Sequence, residues 1–179
     1  MGQSIDIRHL GKYLRRTYEK YFEKYSEEFS DLGEETIQKL AKIRQKEDLV
    51  DGVQTIQYQL NTLMTTNGQA PFVTLFLNLI VGDEYEEEVA MIIEEILKQR
   101  YDGIIDEHGV AVTPAFPKLV YVIDEHNVLP GSKYEGLTDL AVKCSSKRMY
   151  PDYISRKKMQ ENYEGNCFSP MGKQKLQPM

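Results

Sequence analysis

The run Pro71-Phe-Val-Thr-Leu-Phe-Leu-Asn-Leu-Ile-Val81 carries apolar residues on both of its alternating faces. Successive side chains of an extended strand point to opposite sides, so a strand of this kind must be covered on both. That requirement excludes the one-sided strands of a sandwich and points to a parallel sheet or barrel. A second apolar run, Lys118-Leu-Val-Tyr-Val-Ile123, follows two prolines, and Val89, Ile92, Ile93, Ile96 and Leu97 recur at helical spacing between the two. Asp83 to Glu88 places carboxylates at the start of this helix, where the dipole favours them, and no catalysis is assigned to them. Asp102-Gly103 closes it, so the segment is expected to be a βαβ unit in an α/β protein.

Long amphipathic helices are expected to precede it. Leu10, Tyr13, Leu14, Thr17, Tyr18, Tyr21, Phe22 and Tyr25 recur at spacings of three and four from Ser4 to about Phe29. Ser4 can cap this helix, Asp6 suits its dipole, and the tyrosine stripe reads as core or interface packing. A second helix is expected from Glu34 to about Met64, weakened locally at Gly52. Asn67-Gly68 alone would signal a hairpin. A polar loop from Asp124 to Lys133 leads to a helix at Leu137, Leu140 and Ala141. Beyond Tyr153 the apolar density collapses, and Lys173 to Met179 reads as an unstructured tail.

A net charge of -6 with dispersed Lys and Arg provides no basic face for nucleic acid or anionic lipid. The longest apolar run is about half of the ~20 residues a spanning helix needs, and no targeting signal opens the chain, so a cytoplasmic protein is expected. Cys144 and Cys167 are too few and too far apart for zinc, and His9, His108 and His126 show no ligand spacing. No nucleophile elbow, phosphate loop, HExxH helix or dinucleotide fingerprint is present.

Three stretches carry identity: Gly2-Gln3-Ser4; Asn61-Thr-Leu-Met-Thr-Thr-Asn-Gly-Gln-Ala-Pro-Phe72; and Phe116-Pro-Lys-Leu-Val-Tyr121 with Lys147-Arg-Met-Tyr-Pro-Asp152. In order and spacing they resemble the anaerobic, glycyl-radical ribonucleoside-triphosphate reductases, over nearly all of Gly2 to Gly172. The resemblance implies an incomplete segment of a ten-stranded α/β barrel, residues 1–172, with a divergent tail at 173–179. It implies a finger loop inside the barrel, whose cysteine forms a thiyl radical that removes hydrogen from the ribose of a ribonucleoside triphosphate, with formate as the reductant in many members. A closed barrel would shield such intermediates from water and oxidants.

The family's finger loop usually reads Pro-Met-Gly-Cys-Arg-Ser. This chain matches at Pro170-Met171-Gly172 and then has Lys173 in the cysteine position. A lysine forms no comparable radical and would place a charge in a closed barrel. Cys144 reads as a packing residue, and Cys167, in the finger-loop approach, is a weak substitute thiyl candidate. The resemblance places further parts outside this chain: a regulatory cone and a second cysteine before it, and the glycyl radical loop, made by a radical-SAM activase, and structural zinc cysteines after it. Effector nucleotides bind at the family's dimer interface near helices of this region, which makes Gln3 a candidate effector contact; helix-start polarity explains it equally well.

The expectation is therefore an interrupted reductase, through a frameshift, an intervening element or an incompletely read gene, inactive alone and poorly soluble because of open sheet edges. Two alternatives stand beside it. One is half of a split reductase, completed by a chain beginning Cys-Arg-Ser. The other is a noncatalytic helical protein that binds effector nucleotides or an intact reductase.

Overall fold

A computed structural model describes residues 3–62, 72–105, 108–114 and 116–169. Four parallel strands form its main sheet: β1 (Gln3–Asp6), β2 (Val73–Leu77), β5 (Lys118–Ile123) and β6 (Asp152–Ser155). They lie side by side in chain order, β1-β2-β5-β6, with registers Ile5 to Leu75, Leu75 to Leu119 and Tyr121 to Tyr153. A small antiparallel hairpin, β3 (Ile104–Ile105) and β4 (Ala111–Val112), stands apart. Among the described residues β1 and β6 each pair on one side only.

The connections are helical: α1 (Arg8–Glu28), α2 (Glu34–Thr62), α3 (Glu86–Asp102), a short α4 (Glu125–Val128), α5 (Glu135–Arg148) and α6 (Arg156–Asn162). The main core lies on the sheet face that these helices cover. There Val73, Leu75, Leu77, Leu119 and Tyr121 meet Leu14, Val53, Val89, Ile92, Ile93, Ile96, Leu97, Leu137 and Ala141. Phe76, Val120 and Val122 point to the opposite face and form a second cluster with Ile154 and Cys167. All five residues of β2 are buried, as apolar character on both faces requires.

The βαβ unit β2-α3-β5 is present, and Gly103, at φ 83°, ends α3 where Asp102-Gly103 signalled it. A side chain at Gly103 would also meet the Val112 carbonyl oxygen at 2.7 Å, so the glycine admits the hairpin. Other expectations need correction. Residues 3–6 form β1, not the first turn of a helix, so Ser4 caps nothing; α1 begins at Arg8, where Asp6 Oδ1 accepts the Arg8 backbone N–H at 3.0 Å. Pairing with the buried β2 outweighs the local helical spacing. The chain beyond Tyr153 is also more ordered than its composition implies, because β6 pairs with β5 and Ser155 caps α6 by accepting from the Lys158 backbone N–H. The hairpin and α4 carry too few residues for periodicity to register. Asn67-Gly68 and the tail at 173–179 lie outside the described residues.

The tyrosine stripe is a run of ring contacts along α1: Tyr18 with Phe22 at 6.0 Å, Tyr21 with Tyr25 at 5.9 Å and Tyr25 with Phe29 at 5.9 Å. Tyr21 also donates its hydroxyl to Asp48 on α2 at 2.9 Å. No described helix is long and apolar enough to cross a membrane.

Candidate functional site

In parallel α/β sheets the loops leaving the carboxyl ends of the strands converge on one edge, and sites are built there. Each strand of this sheet reaches that edge in a polar residue. Asp6 ends β1, Asn78 follows β2, Asp124 follows β5, and Ser155-Arg156 ends β6 and opens α6. Their side chains form one continuous network.

Asn78 is only 1% exposed and sits at the centre. Its Nδ2 donates to Asp6 Oδ2 at 3.3 Å, and its Oδ1 accepts from Arg156 Nη2 at 2.8 Å. The same Nη2 donates to the Leu79 carbonyl at 2.6 Å, while Arg156 Nε donates to Asp124 Oδ2 at 2.9 Å. At the other end Arg8 grips Asp6 through Nε, at 3.1 and 3.0 Å to its two oxygens, and through Nη2 at 2.7 Å. Two carboxylates and two guanidiniums thus balance in charge across four strand ends.

Local sequence explains why these groups are held so firmly. Asp124 adopts extended backbone as the cap of α4, with Oδ1 accepting from the His126 backbone N–H at 2.8 Å. Asn127 completes the capping box: its Oδ1 accepts from the Asp124 backbone N–H at 2.9 Å, and its Nδ2 donates to the Val122 carbonyl at 2.9 Å. Beside the network a cleft of about 510 Å³ opens between Asp124, His126, Ser155, Arg156 and Gln160. That size falls within the roughly 300–1,000 Å³ of small-molecule pockets.

Every oxygen of the Asp6 and Asp124 carboxylates is engaged, and so is each end of the Asn78 amide. The arrangement is therefore suited to fixing loop geometry and holding a polar ligand, and less suited to donating or abstracting protons. Cys167 approaches from the face opposite the helices, half-buried against Phe76, Val120 and Val122. Burial pushes its thiol pKa up, and the nearby Arg156 and Arg8 guanidiniums pull partly against that shift.

The candidates from sequence lie elsewhere or outside the described residues. Gln3 starts β1, exposed, its backbone N–H donated to the Phe72 carbonyl at 2.8 Å, at the end of the strand away from Asp6. Cys144 is fully buried in α5, a packing position. His9, His108 and His126 are exposed. Pro170, Met171, Gly172 and Lys173 lie outside the described residues. Among those described, no group of three or more His, Cys, Asp or Glu side chains could hold a metal ion.

Both halves of the third identity-bearing stretch turn out to brace the scaffold. Arg148, in Lys147-Arg-Met-Tyr-Pro, donates to the carbonyls of Tyr101 at 2.9 Å, Asp102 at 2.6 Å and Ala111 at 3.3 Å, so it closes α3 and ties down the hairpin. Arg100 is 1% exposed and donates to the carbonyls of Pro114 at 2.7 Å and Pro117 at 2.5 Å, the second within Phe116-Pro-Lys. Asn78, Asp124 and Arg156 escaped the sequence reading, although the first two are the polar residues that interrupt or end the apolar runs at 72–81 and 118–123.

The profile of the anaerobic ribonucleoside-triphosphate reductase family matches residues 2–174. The chain is 36% identical over 149 residues to the anaerobic ribonucleoside-triphosphate reductase of Enterobacteria phage T4, covering 83% of this chain and 23% of that protein. It is 34% identical over 164 residues to the enzyme of that name from Haemophilus influenzae, covering 91% of this chain and 22% of that one. Against the Escherichia coli enzyme it is 38% identical over 133 residues, covering 74% and 18%. The chain thus spans about a fifth of the length of the curated relatives it matches.

Proposed function

The chain belongs to the anaerobic ribonucleoside-triphosphate reductase family, and on that premise we propose that it supplies one sector of a reductase barrel, with the carboxyl ends of its four strands facing the nucleotide. The complete enzyme would reduce ribonucleoside triphosphates to 2'-deoxyribonucleoside triphosphates. The observation that carries this reading is the arrangement around the sheet. Helices cover one face; Cys167, three residues before Pro170 in sequence, packs against the other; and the polar network rims the strand ends between them. A barrel with an internal finger loop requires that order of layers.

In the family the radical groups supply hydrogen-atom transfer at the ribose. This chain's residues do not fit the thiyl part of that chemistry, because Lys173 holds the cysteine position and Cys167 is packed into an apolar cluster. Its own residues instead frame the site: Arg156 and Arg8 lock the strand ends, and Phe76, Val120 and Val122 keep water from the inner face. Effector nucleotides, a radical-SAM activase, and a second copy or a complementing reductase chain are the partners this reading requires. The glycyl radical and structural zinc would be carried by residues other than those described here.

An anaerobic assay tests the proposal. The chain would be mixed with one chain that supplies the relatives' segment preceding it and one that begins Cys-Arg-Ser and extends through the glycyl radical loop, together with activase, formate and a ribonucleoside triphosphate. Deoxyribonucleotide formation by the full mixture, and by no mixture that omits this chain, is the expected result. Turnover by the isolated chain, or the absence of both association and turnover in the mixture, would overturn it.

A further inference from the structure

The strand-end network has a direction that its individual bonds do not reveal. Arg156 opens α6 directly after the last strand of the sheet and Asp6 ends the first, and among the described residues Asn78 is the side chain that bonds to both. A primary amide has two different ends, and a buried one between a guanidinium and a carboxylate turns its oxygen to the first and its NH2 to the second, so displacing either charge disturbs the other through it. Arg156 Nη2 faces Asn78 Oδ1 at 2.8 Å, which leaves Nδ2 turned to Asp6 Oδ2 at 3.3 Å. Asp6 in turn fixes the start of α1, through its bond from the Arg8 backbone N–H at 3.0 Å and its grip on the Arg8 guanidinium.

We infer that Arg156 is a positioning residue for the strand-end site: acting through the amide of Asn78, it sets where Asp6 and Arg8 stand across the sheet. The inference rests on the reading of these strand ends as the nucleotide-facing pole. Three features of the network carry it. Arg156 is anchored on two strands at once, by Nε to Asp124 and by Nη2 to Asn78 and the Leu79 carbonyl. Asn78 is 1% exposed, so water cannot replace either partner of its amide. The Asp6 oxygen that accepts from Asn78 also accepts from Arg8 Nη2 at 2.7 Å, so movement of the amide reaches the arginine directly.

The fork geometry matters as much as the charge. A lysine at 156 would keep a positive group near Asp124 but is a single point of donation, unable to span Asp124, Asn78 and the Leu79 carbonyl together. Arg156→Lys is therefore expected to behave like Arg156→Ala at the far end of the network, although it retains the ion pair at the near end.

Amide hydrogen exchange on the full 179-residue chain tests this, read with the side-chain amide resonances of Asn78. In both Arg156 variants the Arg8 backbone amide, at the opposite end of the four-strand order, is expected to exchange about tenfold faster, the factor that accompanies loss of one charge-assisted hydrogen bond. The Asn78 side-chain amide signals are expected to move as well, while the core of α3 keeps its protection. A purely local role would accelerate only the loops after β2 and β5, and that result, or full restoration by Arg156→Lys, would overturn the inference. Should Arg156→Ala unfold, Asn78→Ala decides: it must accelerate Arg8 while sparing the amides around Asp124, and unchanged Arg8 exchange would sink the idea. None of these readouts depends on nucleotide reduction, so they stand or fall separately from the reductase reading.

Discussion

Arg156 and Asp124 stand at the adjacent ends of β6 and β5 as an ion pair 2.9 Å apart, with side chains only 16% and 13% exposed. Asp124 has a second task, capping α4. Removing it therefore deletes a helix cap and leaves a poorly solvated guanidinium without its carboxylate. Asp124→Ala is expected to destabilise the chain by about 3 kcal/mol, roughly 1 from the cap and the rest from the uncompensated charge. Asp124→Asn keeps the cap acceptor and should cost less, and urea midpoints measure both.

Two helical glycines make opposite predictions. At Gly11 an added Cβ would stand 2.7 Å from Tyr85 Cβ and 3.1 Å from Val89 Cγ2, so α1 can approach α3 only without a side chain there. Gly11→Ala should destabilise by about 1–3 kcal/mol through overpacking, despite its better helix propensity. At Gly52 nothing lies within 4 Å, and Gly52→Ala should stabilise by roughly 0.5–1 kcal/mol. Thermal melts of the two variants should shift in opposite directions.

Glu86 gives the chain an acid-sensitive contact. It accepts from Lys133 Nζ at 2.6 Å, the Tyr134 hydroxyl at 2.5 Å and the Gly82 backbone N–H at 2.6 Å, and the Lys133 ammonium leads in lowering its pKa from 4.5 to about 2. A carboxylate depressed by folding stabilises above its unfolded pKa and loses that contribution as pH falls through the folded one. Stability should therefore drop between about pH 4.5 and 2 by more in the parent than in Glu86→Gln. Melting temperatures across that window decide it.

Arg100 is a buried cation held by two carbonyls and by the Tyr150 ring, 5.6 Å from its guanidinium carbon, and burial lowers its pKa. A lysine there would be depressed by the same desolvation. The unfolded chain would then bind more protons than the folded one in the range below the ordinary lysine value of about 10.4, so Arg100→Lys should gain stability as pH rises through that range. A flat profile from pH 7 to 10, measured by urea unfolding, would contradict the burial argument.

The two cysteines should differ in alkylation. Cys144 is fully buried and Cys167 half-buried, and burial raises the pKa of both thiols. Iodoacetamide followed by mass spectrometry should label Cys167 first, more slowly than a free thiol, and Cys144 only on unfolding.

The legible parts of the fold were those with long-range periodic signals. The doubly apolar run at 72–81 announced a covered parallel strand, and Val89, Ile92, Ile93, Ile96 and Leu97 announced the helix behind it. Residues 3–6 were misread and 152–155 went unassigned, because a short edge strand has no period of its own and owes its existence to the neighbour it pairs with. The strand-end network was harder still. Asp6, Asn78, Asp124 and Arg156 are spread over 150 residues, each an ordinary polar residue locally, and only the parallel order of the strands brings them to one edge. Family resemblance pointed to Lys173 and Cys167, which mark where the finger-loop chemistry would be, and gave no signal for the frame around it.

The central claim, that the carboxyl ends of these strands face the nucleotide, is tested most directly by titrating the 179-residue chain with a ribonucleoside triphosphate and following backbone and side-chain resonances. The account predicts that Asp6, Asn78, Asp124 and Arg156 shift together and saturably. Shifts confined to α1 and α2, or none at the four strand ends, would contradict it.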